Sequence, residues 1–162
     1  MRTLLTALTC LMLFTTPVVA GDAHSYAEDG RQAFAAKNVV EAVRLWKKAH
    51  RQGHKYSAQW VAEMYREGNG VPKDYAKALS WYVKAVERGN GNAAYDLGVM
   101  YAKGNGVEQS DAKAYAWWSV GIYLESFNSR RAMDTLASYM PERDLLKAKK
   151  LAKEYWMKYI LK

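Results

Sequence analysis

Two stretches of the chain repeat each other 36 positions apart: residues 58–82 are AQWVAEMYREGNGVPKDYAKALSWY and residues 94–118 are AYDLGVMYAKGNGVEQSDAKAYAWW. Aligned without a gap, segments 54–89 and 90–125 share eleven identities. They are Ala58/Ala94, Met64/Met100, Tyr65/Tyr101, Gly68/Gly104, Asn69/Asn105, Gly70/Gly106, Val71/Val107, Ala76/Ala112, Lys77/Lys113, Ala78/Ala114 and Trp81/Trp117. A repeat of this length indicates stacked supersecondary units.

Each unit is predicted to contain two helices joined by a glycine turn. In the second unit, apolar residues at helical spacing predict a first helix from about Ser57 to Glu67. Gly68 is expected to end it, because glycine adopts the left-handed conformation at low cost. Asp74 is expected to cap the next helix by accepting hydrogen bonds from its free amides. The third unit repeats this pattern, with helices near 94–103 and 112–123.

Small and large side chains alternate on the predicted helices. Ala62 or Gly98 on the first helix and Ala78 or Ala114 on the second would let the helices approach closely. The bulky aromatic residues would then fill the remaining space, each burying on the order of 150–250 Å². At these positions we expect packing rather than an aromatic cofactor site; the residues are Trp81, Tyr82, Trp117 and Trp118.

The end units depart from the pattern, as expected for a solenoid. The first has a turn four residues shorter, with Lys37-Asn38 in place of the glycine motif. At the other end, a helix near 130–139 is followed by Pro141, which suits the first turn of a lysine-rich last helix. The sequence therefore predicts an all-α solenoid of about four stacked antiparallel hairpins in one domain, 21–162. Its units lie near 23–53, 54–89 and 90–125, with a capping hairpin at 128–160.

The first twenty residues predict a cleaved signal peptide. Arg2 precedes an apolar run of about eleven residues, which is too short to span a bilayer of ~30 Å. Val18 and Ala20 are small residues at the positions expected before a cleavage site. The predicted location is therefore the periplasm or the exterior. Cys10 is the only cysteine and lies in this segment, so the mature chain would depend on packing without disulfides.

The chain is basic, with a formal net charge of +8 at pH 7. For an exported protein, this favours anionic envelope polymers or acidic protein surfaces over nucleic acid. The excess is concentrated near the C-terminus, where it defines a candidate polyanion-binding set. A solvated helix face is the simpler explanation for such a run. The set is Lys147, Lys149, Lys150 and Lys153.

The sequence contains no recognisable catalytic motif. His50 and His54 are four residues apart, but Gly53 falls between them and no third metal ligand has a fitting spacing. Glu63 and Glu67 could form a carboxylate pair, yet exposed glutamates at this spacing are common on helices. The GNG turns lack the lysine of a phosphate-binding loop. We therefore expect no enzyme activity, metal or cofactor.

The repeat resembles the Sel1-like repeat. The pattern is Ala94-x-x-Leu97-Gly98-x-x-Tyr101-x-x-Gly104-x-Gly106-Val107, followed by Asp111-x-Lys113-Ala114-x-x-Trp117-Trp118. The second unit matches it as well, while the first is more similar to the related tetratricopeptide repeat. The stretch 133–156 is similar to the closing segment of bacterial Sel1 proteins. The resemblance covers essentially all of the predicted mature chain.

This resemblance implies an all-α adaptor fold that mediates protein assembly, with envelope or host-contact roles in exported bacterial members. Some secreted relatives are cysteine-rich and linked to β-lactam binding or hydrolysis, but the mature chain would have no cysteine. In the tetratricopeptide geometry, the first helix of each unit lines a concave face. The implied partner-binding residues are Tyr56, Gln59, Glu63, Arg66, Asn92, Tyr95 and Val99, with Ala102 beside them. Tyr56, Arg66 and Tyr95 are the expected anchors, because tyrosine and arginine often dominate interfaces.

Three hypotheses follow. The leading one is an exported, non-catalytic adaptor that binds a protein or peptide partner in the cell envelope through its concave face. The second is binding of anionic cell-wall or surface polysaccharide through the basic last helix. The third and least favoured is a cell-wall or β-lactam hydrolase.

Overall fold

The computed structural model describes residues 21–161 and shows an all-α protein, as predicted. The described residues form eight helices stacked in pairs, which agrees with about four hairpins. The predicted signal peptide lies outside the described residues. No helix among those described is long and apolar enough to cross a membrane. The helices are α1 (Ala23–Ala35), α2 (Val39–Arg51), α3 (Ser57–Glu67), α4 (Tyr75–Val86), α5 (Gly91–Lys103), α6 (Asp111–Tyr123), α7 (Phe127–Tyr139) and α8 (Glu142–Tyr159).

The helix ends follow the predicted capping chemistry. Gly68 and Gly104 end α3 and α5 with φ angles of 73° and 67°, in the left-handed region that glycine tolerates. Asp74 caps α4, since its Oδ1 accepts a hydrogen bond of 2.9 Å from the Lys77 amide. In the shorter first turn, Lys37 takes the left-handed conformation and Asn38 caps α2.

The second glycine of each GNG turn fixes one unit against the preceding one. A Cβ atom on Gly70 would overlap the Val39 side chain at the start of α2. A Cβ atom on Gly106 would overlap Tyr75 at the start of α4 in the same way. The turn backbone thus approaches the previous unit more closely than any other residue would allow.

Within the first and third hairpins, a ring on the second helix packs against a glycine on the first. The indole of Trp46 lies against Gly30, and that of Trp118 lies against Gly98. Both indoles donate to a main-chain carbonyl three residues before that glycine, Trp46 to Ala27 at 3.3 Å and Trp118 to Tyr95 at 3.1 Å. These contacts set the distance between the paired helices.

The last two helices close the stack by packing mainly against α6. Trp117 of α6 is buried against α8, with ring centroids 4.9 Å from Tyr155 and 4.7 Å from Tyr159. Because α7 and α8 pack mainly on α6 rather than on each other, a groove with α6 as its floor remains between them.

We expect Gly98→Ala to destabilise the protein by about 1–3 kcal/mol, because the new methyl group would collide with the rigid Trp118 indole. Trp118→Tyr alone should also destabilise it, since it removes buried ring atoms and the indole hydrogen bond. The double variant reproduces the Ala62 and Tyr82 pair of the second unit. Its loss in the free energy of unfolding should therefore be smaller than the sum of the single losses, measured by denaturant titration. Additive losses would contradict this account of the hairpin contact.

Candidate functional site

Helices α1, α3, α5 and α7 present neighbouring side chains on one side of the stack, which we call the odd-helix face. A pocket lies between α1 and α3, and another lies between α5 and α7. Side-chain hydrogen bonds connect α3 to α5 between the two pockets. The face therefore has three adjoining parts with different chemistry.

The middle part is a polar network around Gln59. The Asn90 amide donates to Gln59 Oε1 at 2.8 Å, which orients the glutamine. Gln59 Nε2 then donates to Glu63 Oε1 at 3.0 Å and to Asp96 Oδ2 at 3.2 Å. One amide group thus holds a carboxylate of α3 beside a carboxylate of α5. We call Gln59, Glu63, Arg66, Tyr82 and Asp96 the polar centre.

The two carboxylates of the polar centre are difficult to ionise. Burial raises the pKa of Asp96 to about 7, and the charge of Glu63 acts in the same direction. The charge of Arg66 and the Gln59 hydrogen bond only partly offset this rise. Burial also raises the pKa of Glu63. Arg66 donates from Nη2 to Glu67 at 2.8 Å, and within the described residues neither Glu63 nor Asp96 forms an ion pair.

Tyr82 lies on α4, and its ring belongs to the hydrophobic core cluster that includes Ala62 and Leu97. Its side chain is fully buried, and its hydroxyl has no hydrogen-bond partner among the described residues. Burial raises the pKa of this phenol, and the charges of Asp96, Arg66 and Glu63 also act on it. The phenol is therefore buried in the core but remains within range of the charges of the polar centre.

The pocket between α1 and α3 is mainly aromatic and has a volume of about 340 Å³. Trp46 and Trp60 lie 5.4 Å apart between ring centroids, and Phe34 lies 5.7 Å from Trp46. Arg31 lies over the Trp60 ring at 5.8 Å, and Glu63 also lines the pocket. An apolar side chain, or the aliphatic stem of a cationic one, would fit such surroundings.

The pocket between α5 and α7 also has a volume of about 340 Å³ and combines apolar walls with basic groups. Tyr95, Val99 and Tyr139 supply ring and aliphatic surface. Lys103 and Arg131 add positive charge at the same pocket. This end of the face is suited to an apolar group accompanied by an acidic one.

The structure separates the predicted partner-binding residues into three places. Gln59, Glu63 and Arg66 lie together in the polar centre, whereas Tyr95, Val99 and Ala102 line the α5–α7 pocket. Tyr56 and Asn92 line a separate polar cleft of about 180 Å³, beside Glu125. Tyr56 is 45% exposed and contacts His54 edge to face. Both residues precede or begin their helices, and their part in partner binding stays a prediction.

Sequence reasoning missed Asp96, Trp60 and Phe34. Asp96 follows Asn92 by four residues and precedes Val99 by three, so helical spacing alone would place it on the same face. Trp60 and Phe34 lie outside the aligned identities, so the repeat does not predict that both contact Trp46.

The four candidate lysines do not form one patch. Lys149 and Lys153 line the groove between α7 and α8, which has a volume of about 310 Å³ and includes Tyr115 and Trp156. Lys147 lines a different cavity, where it pairs with Asp144 at 3.0 Å. Lys150 is exposed on α8. Only the first two are placed to act together.

The histidines have structural contacts. His54 Nδ1 accepts a hydrogen bond of 3.2 Å from the Ser57 amide and lies 2.6 Å from Ser57 Oγ. Because Ser57 is fully buried at the start of α3, this pair closes a helix end and offers no accessible nucleophile. His50 packs edge to face on Trp81 at 5.6 Å. Between residues 21 and 161, no group of three histidine, cysteine or acidic residues could hold a metal.

These features define the class: an α-solenoid of two-helix repeats that presents a mixed polar and aromatic face. The chain belongs to the Sel1 repeat family, whose family model matches residues 25–54, 56–90 and 91–122. The match includes the shortened first unit, which we had compared with the tetratricopeptide repeat. Sel1 repeats generally mediate protein interactions, and proteins built from them are typically non-catalytic.

Solved structures support the same assignment. A protective antigen present in uropathogenic Escherichia coli strains, which displays the same repeat fold, is 28% identical with a TM-score of 0.74. The alignment covers 86% of this chain and 31% of the antigen. A Sel1 repeat protein from Oxalobacter formigenes is 30% identical with a TM-score of 0.67, over 81% of this chain and 58% of that protein. Comparison with curated proteins finds no match.

We expect Asp96→Asn to stabilise the protein above about pH 7 by about 1–3 kcal/mol. The folded pKa of Asp96, about 7, exceeds its ordinary value of 3.8, so its contribution to stability is fully present below the lower value, falls as pH rises between the two and is lost above about pH 7. Asparagine removes this loss and can still accept the Gln59 hydrogen bond. Denaturant titrations across pH should show a flatter profile for the variant, with exposed Asp29→Asn as the control. A carboxyl-carbon NMR titration of Asp96 with a midpoint near 4 would refute the expectation.

Proposed function

We propose that this protein is an exported, non-catalytic adaptor that holds a segment of a protein partner across its odd-helix face. The observation that carries the proposal is the arrangement of three adjoining sites along one face. An aromatic pocket, a polar centre and a basic-rimmed pocket lie on consecutive helix pairs. One extended peptide or loop could contact all three.

The two pockets supply anchors that need little ordering on binding. Trp46 is buried and hydrogen-bonded to Ala27, so it holds the neighbouring Trp60 and Phe34 rings in place. Trp118 similarly supports the α5–α7 pocket through its bond to Tyr95. Rigid aromatic surface in a pocket is typical of the residues that dominate binding energy. The polar centre would then fix the register of the bound segment.

Export and the lack of catalysis rest on separate arguments. The basic start, short apolar run and small residues of positions 1–20 favour export through the envelope. Among the described residues, Ser57 and His54 resemble a nucleophile and base, but Ser57 is fully buried at the start of α3. The family association with protein interactions favours an adaptor over a hydrolase.

Photo-cross-linking in cells that produce the full chain tests the odd-helix face. A benzoylphenylalanine at Phe34 or Tyr139, which are 38% and 66% exposed, should give a discrete cross-linked species in the envelope fraction. The same group at Tyr123, 55% exposed at the end of α6, is the matched control and should give none. Cross-links only from Tyr123, or from none of the three sites, would reject this face as the partner site.

A second candidate function is binding of anionic cell-wall or surface polysaccharide in the groove between α7 and α8. Lys149 and Lys153 flank a groove that also contains Tyr115 and Trp156. Aromatic rings could contact the apolar faces of sugars, while the ammonium groups could pair with their anionic substituents. The combination of rings and cations at one groove favours this use over a merely solvated helix.

Lys149→Gln with Lys153→Gln should abolish cosedimentation with a purified anionic envelope polysaccharide if this groove binds it. Lys147→Gln with Lys150→Gln removes the same charge from the same helix and should retain most of the binding. Wild-type binding should weaken as salt rises, because exposed charges are screened within about 8 Å at physiological ionic strength. Equal losses in the two double variants would indicate a diffuse charge effect and exclude the groove.

A further inference from the structure

The carboxylates of Glu63 and Asp96 lie together, and neither forms an ion pair with a cation among the described residues. Gln59 donates to both, which places a carboxylate of α3 and a carboxylate of α5 around one amide group. Arg66 is nearby, but its Nη2 donates to the exposed Glu67. Partly buried carboxylates are costly unless a cation or several hydrogen-bond donors compensate for the lost water. Among the described residues, the Gln59 amide donates to both carboxylates, and the charge of Arg66 offsets the cost only in part.

Tyr82 provides an independent observation. Residues 46, 82 and 118 are equivalent in the repeat, and the tryptophans at the outer two bond to a main-chain carbonyl of their own hairpin. The middle unit has a tyrosine whose hydroxyl is fully buried and unpartnered. The charges of Asp96, Arg66, Glu63 and Glu67 act on it. Leaving a buried hydroxyl without a hydrogen-bond partner is costly, so this position suits a ligand that completes the site.

We propose that the polar centre is a receptor for one cationic side chain, a lysine or an arginine, of the bound partner. Glu63 and Asp96 would accept hydrogen bonds from the ammonium or guanidinium group, and the Tyr82 hydroxyl would accept another from below. Glu63 also lines the aromatic pocket, so the aliphatic stem of the side chain can lie beside Trp60. The inference rests on the proposed function for the source of this side chain.

Other occupants fit less well. Calcium takes 6–8 oxygen ligands, whereas the polar centre offers two carboxylates joined by an amide donor. An anion would meet two carboxylates with only Arg66 to oppose them. Arg66 itself is the main internal competitor, because its buried Nε has no hydrogen-bond partner among the described residues. If Arg66 turned from Glu67 to Asp96, it would close the site, and added cations would not bind.

The test is an NMR titration of the isotope-labelled full chain with the Nα-acetyl amides of lysine and arginine, whose side chains keep their charge. N-acetyl-norleucine amide has a similar stem without the charge and is the matched ligand control. We expect saturable shifts at the amides of Gln59, Glu63 and Asp96 in the millimolar range for the cations only. The deprotonated Asp96 carboxylate should bind the cations best. The affinity of the protein for both cationic ligands should therefore fall roughly tenfold from about pH 8 to about pH 6, where the ligands themselves remain cationic.

Variants assign the effect to named groups. Asp96→Asn should weaken lysine binding at least about tenfold and remove the pH dependence, because it deletes one charge of the pair. Tyr82→Phe removes only the hydroxyl and should weaken binding by about threefold to tenfold, the loss expected for one hydrogen bond. Asp29→Asn, at an exposed position of α1, should change neither the affinity for lysine nor the pH dependence of binding. Retained amide spectra would show that each variant is folded.

Each outcome decides the proposal. Equal shifts with norleucine, unchanged binding in Asp96→Asn or the absence of saturable shifts would overturn the cation receptor. The cross-linking experiment at Phe34 and Tyr139 reports on the odd-helix face independently. Cross-links without cation binding would reject the receptor and leave the adaptor function intact. Cation binding without cross-links would support the receptor and reject the adaptor function.

Discussion

The rest of the structure depends on the contact between one large ring and one glycine inside the first and third hairpins. Trp46 against Gly30 and Trp118 against Gly98 bring the paired helices close and use the indole nitrogen to bond the facing backbone. The second glycine of each GNG turn then sets the spacing between successive units. Because both distances are fixed by backbone approach, α1, α3, α5 and α7 adjoin along one side. The odd-helix face is a geometric consequence of these small residues.

The middle unit changes the chemistry of the equivalent positions. Ala62 takes the place of glycine and Tyr82 takes the place of tryptophan. The residue on the first helix is therefore larger and the ring on the second helix is smaller. A phenol carries its polar atom at the far end of the ring, whereas an indole carries it on the side. The hydroxyl is therefore available to the polar centre and not to the backbone of its own hairpin. The departure from the repeat coincides with the cluster of charged side chains, as expected where a site is built on a repetitive scaffold.

The sequence predicted what depends on local chemistry. The bounds of α3, the glycine helix ends, the Asp74 cap and the short first turn all follow from neighbouring residues. It also placed Gln59, Glu63 and Arg66 on one face, because helical spacing determines that relation. Tyr56 and Asn92 lie where helices begin, so periodicity alone does not determine the direction of their side chains. Lys147 and Lys149 are two residues apart on α8, so helical spacing already separates them. That Lys149 and Lys153 border a groove depends on how α8 packs on α6, which no local pattern encodes.

The charge of the whole protein restricts what a cation receptor can bind. A chain with a formal net charge of +8 repels basic ligands at long range, although salt confines this effect to about 8 Å. Recognition at Glu63 and Asp96 would therefore depend on short-range contact in a partly buried setting, where charges interact more strongly than in water. Arg31 lines the pocket on one side of this centre, and Lys103 and Arg131 line the pocket on the other. A segment with one basic residue between acidic ones would complement all three parts, whereas a uniformly basic segment would meet repulsion at both ends.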